Sequence, residues 1–125
     1  MKMTKEEIIS IAGTTRAQLL ASVPANVIMS WGVTQVAACE YDGKATLVLV
    51  VNGFLHKGPV FISYNKGNDL YEVRTVKNHT KTVEVLMTVD EVYADNLGSV
   101  VDSLVEKDCS DEEYGEKVRE SLLED

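Results

Sequence analysis

DGKATLVLVVNGFLHKGPVFISYN, residues 42–65, is the stretch on which the fold turns. Asp42-Gly43 is a strong two-residue hairpin signal, because both residues tolerate positive φ. Leu47 to Val51 are five consecutive branched aliphatics, so both faces of the strand are expected to be covered and the strand to be central. Beyond it, two readings compete. Asn52-Gly53 can be a hairpin turn, which leaves only Phe54 to Lys57 before Gly58-Pro59. Alternatively the strand runs to about Leu55 and turns at residues 56–59. The second reading is preferred, because turn signals then fall at 42–43, 56–59, 66–69 and 77–81, the regular spacing of a meander. Gly53 is then a β-bulge or a point of close backbone approach.

Val33 to Tyr41 reads as a strand before this stretch, and VFISYN and LYEVRTV as strands within and after it. TVEVLM, residues 82–87, is a weaker fifth strand. In LYEVRTV, Tyr71, Val73 and Thr75 share one face, and Leu70, Glu72, Arg74 and Val76 the other. At the N-terminal end, Thr4 and Glu7 form a capping box for a helix that Val23-Pro24 ends. Gly13-Thr14-Thr15 is a point where that helix can break and restart. Val27, Ile28, Met29 and Trp31 make an apolar entry segment.

After the strands, TVDEVYADNLGSVVDSLVEK, residues 88–107, reads as a long amphipathic helix. Thr88 and Glu91 form its capping box, and Val89, Val92, Tyr93, Leu97, Val100, Val101, Leu104 and Val105 lie on its stripe. Gly98 beside the stripe suggests close helix–sheet approach. Ser110 and Glu113 cap a short acidic terminal helix, and residues 108–125 read as an acidic appendage. The expected fold is α+β: an N-terminal helix, an antiparallel meander of about five strands, one long C-terminal helix and a short acidic one, in a single domain of residues 1–125.

The chain has 125 residues and a net charge of −8. Residues 102–125 hold ten acidic and three basic residues, so they carry −7. That balance disfavours nucleic acid and anionic membrane. The N-terminus lacks the apolar core of a signal peptide, and no run approaches membrane-spanning length. Cys39 and Cys109 form no CxxC pair, a usage that fits a reducing cytoplasm.

No diagnostic catalytic motif is present. His56 and Lys57 read as a polar hairpin tip, although a histidine there can act as acid or base. Cys39, His56, His79 and Cys109 match no zinc-ligand spacing, so no metal is expected. Glu40, Asp42, Glu72 and Glu84 read as solvated strand or turn carboxylates. The glycines around residue 58 match neither a P-loop nor a dinucleotide fingerprint, and no cofactor is expected. Lys57, Lys66, Arg74, Lys77 and Lys81, with Tyr64 and Tyr71, form a mildly basic region whose lysines fall at turns, as edge lysines do.

The larger signal is surplus apolar surface. Val48, Val50, Phe54, Phe61, Tyr71, Val73 and Leu86 are expected to form a second apolar sheet face. The first helix covers it, or a partner or a second copy does. Phe54, Leu55, His56, Lys57, Phe61 and Tyr71 are the candidate partner-binding residues, for an unidentified protein or a homodimer formed through a sheet face. Two alternatives stand beside this binding or accessory module. One is an acidic decoy that engages a DNA-binding protein through residues 108–125. The other is a small-ligand sensor or enzyme using His56 with strand carboxylates.

The run MSWGV, EYDGKATLVLVVNGFLHKGPVFISYN and DLYEV, followed by VDEVYADNLGSVVDSLVEK, resembles a family of small proteins with no assigned activity. That family is associated with Bacteroides-type gut bacteria and their phages or mobile elements. The resemblance covers roughly residues 29–107 and rests on the SWGV entry and the GFLHKG hairpin. It implies a bacterial cytoplasmic setting and an accessory role, and brings no catalytic residues.

Overall fold

The computed structural model describes residues 3–53, 55–77 and 84–105. Two helices precede the sheet: α1 (Lys5–Ser22) and α2 (Ala25–Ser30). Five strands follow: β1 (Gln35–Tyr41), β2 (Lys44–Asn52), β3 (Lys57–Asn65), β4 (Leu70–Lys77) and β5 (Glu84–Val92). A 3₁₀ turn at Ala94–Asn96 leads into α3 (Leu97–Val105). The strands lie in sequence order and every neighbouring pair is antiparallel, so the sheet is a meander. The α+β meander expected from the sequence is the fold observed; the acidic helix expected at 108–125 lies outside the described residues.

Local chemistry explains most of these elements. The Thr4 hydroxyl accepts from the Glu7 amide and caps α1. Gly13 does not break α1: the Thr14 and Thr15 hydroxyls donate to the carbonyls of Ser10 and Ile11, and the helix runs on. Asp42 and Gly43 take φ of 52° and 74°, the left-handed pair that a two-residue hairpin needs. The β3–β4 turn is held by Asn65, whose side chain accepts from the Gly67 amide, and by Asn68, which accepts from Leu70.

The helices share one face of the sheet. Ala12 and Leu19 of α1 and Leu97, Val101 and Val105 of α3 pack with Leu47, Leu49, Val51, Val60, Ile62, Tyr71, Val73 and Val92. Tyr71 and Val73 therefore belong to the covered face and not to the second face where they were expected. The pleat requires it: Tyr64 pairs with Tyr71 and Ile62 with Val73, and cross-strand partners share a face. Trp31 closes one end of this core; it is fully buried, and its indole Nε1 donates to Asp102 Oδ1 at 2.9 Å.

Three further expectations are corrected. β2 ends at Asn52, not Leu55, and β3 already begins at Lys57, so the turn comes before residues 56–59. The reason is α3: the Leu55 and His56 amides both donate to the Val105 carbonyl, so the turn caps the helix end. A Cβ on Gly53 would lie 2.5 Å from that carbonyl oxygen, so Gly53 is the close approach expected of it. Second, residues 88–92 are strand, and Thr88 and Glu91 cap no helix. Val89 and Val92 mimic helical spacing because a β-bulge lies between them: Val92 pairs with Tyr71 and Val89 with Val73, so three steps on β5 match two on β4. Glu91 takes the strain, with φ of 55°. Third, Gly98 permits approach of α3 to the end of α1, not to the sheet. Its amide donates to Ser22 Oγ at 2.9 Å, and a Cβ would clash with Ser22 and Val23.

Candidate functional site

Among the described residues, no helix lies on the other face of the sheet. Alternation gives this open face Cys39 and Tyr41 from β1, Lys44, Thr46, Val48 and Val50 from β2, and Pro59, Phe61 and Ser63 from β3. Glu72 and Arg74 of β4 complete it. At its centre the side chains cover one another. Phe61 meets Tyr41 edge-on, with ring centroids 5.1 Å apart and planes at 76°. The Arg74 guanidinium lies over the Tyr41 ring, 5.2 Å from its centroid. Arg74 Nη2 stands 3.5 Å from Glu72 Oε2, and Lys44 Nζ stands 3.3 Å from Glu72 Oε1 and 3.3 Å from Asp42 Oδ2. Beneath this lid, the Thr46 and Ser63 hydroxyls share a 2.8 Å hydrogen bond and both residues are fully buried.

The electrostatics follow from that packing. Burial pushes the Lys44 ammonium down, but the carboxylates of Asp42 and Glu72 outweigh it and hold the pKa above the usual lysine value. Burial pushes the Cys39 thiol up. Glu72 Oε1 and Arg74 Nη1 are both buried without a hydrogen-bond partner, the Lys44 contact being an ion pair outside hydrogen-bond geometry. Toward the β2–β3 turn the face becomes apolar, with Val48 and Val50 half-buried beside Pro59.

The candidate residues are not brought together. Phe61 is on the open face, and Lys57, four residues earlier on the same strand, projects to that side. Phe54 lies outside the described residues. Leu55 is half-buried in the turn, and His56 is buried, with Nε2 2.9 Å from the Pro59 carbonyl oxygen. His56 is thus part of the clamp on α3 and not an exposed tip. Glu40 lies on the helix side, where it accepts from the Met3 amide, whereas Glu72 lies on the open side. Tyr71 lines a cleft of about 230 Å³ between α1 and the β3–β4 end. There Tyr71 donates to Gln18 and Tyr64 donates to Asp69. Burial raises the Tyr71 pKa, and the bond to Asp69 raises that of Tyr64. His56 is not among the residues that line this cleft.

The cluster of Tyr41, Lys44, Glu72 and Arg74 was not singled out from the sequence. The alternation of LYEVRTV does place Glu72 and Arg74 opposite the core. What joins them to Tyr41 and Lys44 is the register across three strands, which no local pattern encodes. Among the described residues, no three His, Cys, Asp or Glu side chains converge to hold a metal ion, and no helix is long and apolar enough to cross a membrane. No protein-family model matches the chain, and neither a curated protein nor a solved structure matches it.

Proposed function

We propose that the chain is a non-enzymatic protein-binding or accessory module that presents the open sheet face to a protein partner. The observation that carries this reading is Arg74. Its guanidinium is oriented in advance by Tyr41 and Glu72, yet Nη1 has no hydrogen-bond partner. A buried donor left unbonded costs about 1–3 kcal/mol; Nη1 is itself inaccessible, so a partner's acceptor recovers that cost only by displacing the side chains that cover it. Beside it lies the apolar strip of Val48 and Val50. The partner chemistry that fits is a segment bearing a carboxylate next to an aliphatic side chain, the carboxylate taken by Arg74 and the aliphatic group by the strip. The setting in a bacterial or mobile-element system rests on the sequence resemblance alone.

The test is affinity capture from nuclease-treated native lysate, with the intact chain, the Arg74→Ala/Val48→Asp variant and a 1–107 truncation in parallel. A specific protein held by the intact chain and the truncation, and lost with the face variant, is the expected result. A protein lost only with the truncation would transfer the function to the acidic segment, as the decoy reading requires. Equal capture by all three would remove the open face from consideration.

A further inference from the structure

The two edges of the sheet are built differently. β5 carries two register shifts, with Glu84, Asp90 and Glu91 along it. Bulges and charges of this kind keep an edge from pairing with another strand. β1 has neither. Its seven pairs with β2 run without a shift, and Val33 to Cys39 contains no charge and no proline. Among the described residues, nothing pairs with its outer side.

α1 extends this unprotected edge into a surface. The helix lies mainly over β2, with Ala12, Thr15 and Leu19 directed at the core. At about 100° per residue, Ile11 and Gln18 fall about 90° to one side of that core stripe. They face the cleft with Tyr64 and Tyr71, so that side looks toward β3 and β4. Ile9 and Leu20 fall about 90° to the other side. That side looks toward β1, and there Ile9 is 55% exposed, Leu20 46% and Val36 50%. Val36 pairs with Leu49 and so projects to the same, helix-bearing side.

We infer that the β1 edge, with the Ile9–Leu20 flank of α1, is the interface to a second copy of this chain. An antiparallel strand is self-complementary about a two-fold axis, which makes another copy of the same edge its natural occupant. A two-fold at Ala37 sets Val36 opposite Ala38 of the second copy, Gln35 opposite Cys39 and Thr34 opposite Glu40. No like charges then face each other, whereas a two-fold at Ala38 would set Val36 against Glu40. An axis normal to the sheet gives ten continuous strands with all helices on one side. The two α1 helices then stand three strand spacings apart, about 14 Å. Helices with side chains are about 10–12 Å across, so the two flanks stand about 2–4 Å apart over the joined strands, a gap that the exposed Ile9, Leu20 and Val36 of each copy border. That seam adds the apolar area which strand pairing alone lacks against the roughly 1,200 Å² of a stable interface.

Sedimentation equilibrium of the full chain tests this. The expected mass is twice the 13.8 kDa of the chain. Val36→Lys places two lysines in one seam and is expected to raise the dissociation constant at least about 100-fold, with unchanged circular dichroism. Leu86→Lys, on the β5 edge, is expected to leave the dimer intact. Should Val36→Lys fold poorly, Ala37→Cys in a Cys39→Ser/Cys109→Ser background serves in its place, and mild oxidation should yield a covalent dimer. A chain that stays monomeric up to about 1 mM would overturn the inference. So would a dimer broken by Leu86→Lys and not by Val36→Lys, or no cross-link from Ala37→Cys. A monomer that still captures a protein through Arg74 would reject this interface while leaving the open-face reading in place.

Discussion

The two faces of the sheet both contain fully buried residues, but they bury them by different means. On the helix-bearing face, Val60, Ile62 and Val73 lie under α1 and α3 and touch other hydrocarbon. On the open face, Thr46 and Ser63 are as inaccessible, yet what covers them is a single layer of Tyr41, Lys44, Phe61, Glu72 and Arg74. Inaccessibility therefore does not by itself mark a core. The first face holds the fold together by excluding water from apolar surface. The second holds a set of polar and aromatic groups in fixed positions.

The difference has energetic consequences, and the largest belongs to the covered face. Ile62→Ala should cost about 2–5 kcal/mol, since it opens a cavity beneath two helices that cannot collapse together. Denaturant titration measures it, and a cost below about 1 kcal/mol would mean that this face is loosely packed. Gly98→Ala should cost somewhat less, about 1–3 kcal/mol, because its new Cβ collides with Ser22 and Val23 where α3 meets α1. The same titration checks it. On the open face, Ser63→Ala leaves Thr46 still bonded to the Lys44 carbonyl, so the expected loss is only about 1 kcal/mol. If Ser63→Ala matched Ile62→Ala, the two faces would be one continuous core and the contrast would fail.

Much of this architecture is legible in the sequence. The Asp42-Gly43 hairpin, an interior strand after it, the turn at 66–69 and the Thr4 cap all follow from short-range chemistry, and the structure has each of them, although the strand stops at Asn52 and not at Leu55. What fails is informative. The helix expected from residue 88 rests on Val89 and Val92 at a spacing of three, which a bulged strand reproduces. His56 reads as an exposed tip because nothing local reveals that Val105, some fifty residues on, supplies the carbonyl that the turn must bond. The open-face cluster is invisible for the same reason: Tyr41, Phe61 and Arg74 come from three strands, and only their register assembles them. Local signals give elements; the site depends on which element lies beside which.

The smallest effect separates the faces by charge and not by packing. Tyr71 on the covered face has a raised pKa, chiefly through burial, and Lys44 on the open face has one raised by Asp42 and Glu72 against the opposing effect of burial. A raised folded pKa means that the folded state holds its proton more tightly than the unfolded chain. Below the unfolded values, about 10 for tyrosine and 10.4 for lysine, both states are protonated and stability does not vary with these groups. Above them the unfolded chain deprotonates first, and stability falls until pH passes the folded pKa. Cys39 has the same sign and begins lower, near the thiol range. Denaturation midpoints taken from pH 8 to pH 11 should therefore decline. Tyr71→Phe should flatten the upper part of that decline and Cys39→Ala the lower part, whereas Lys44→Met should lower stability at pH 8 and then flatten the curve. A decline unchanged in Tyr71→Phe would mean that the hydroxyl reaches water through the cleft, and that the covered face is open at this point.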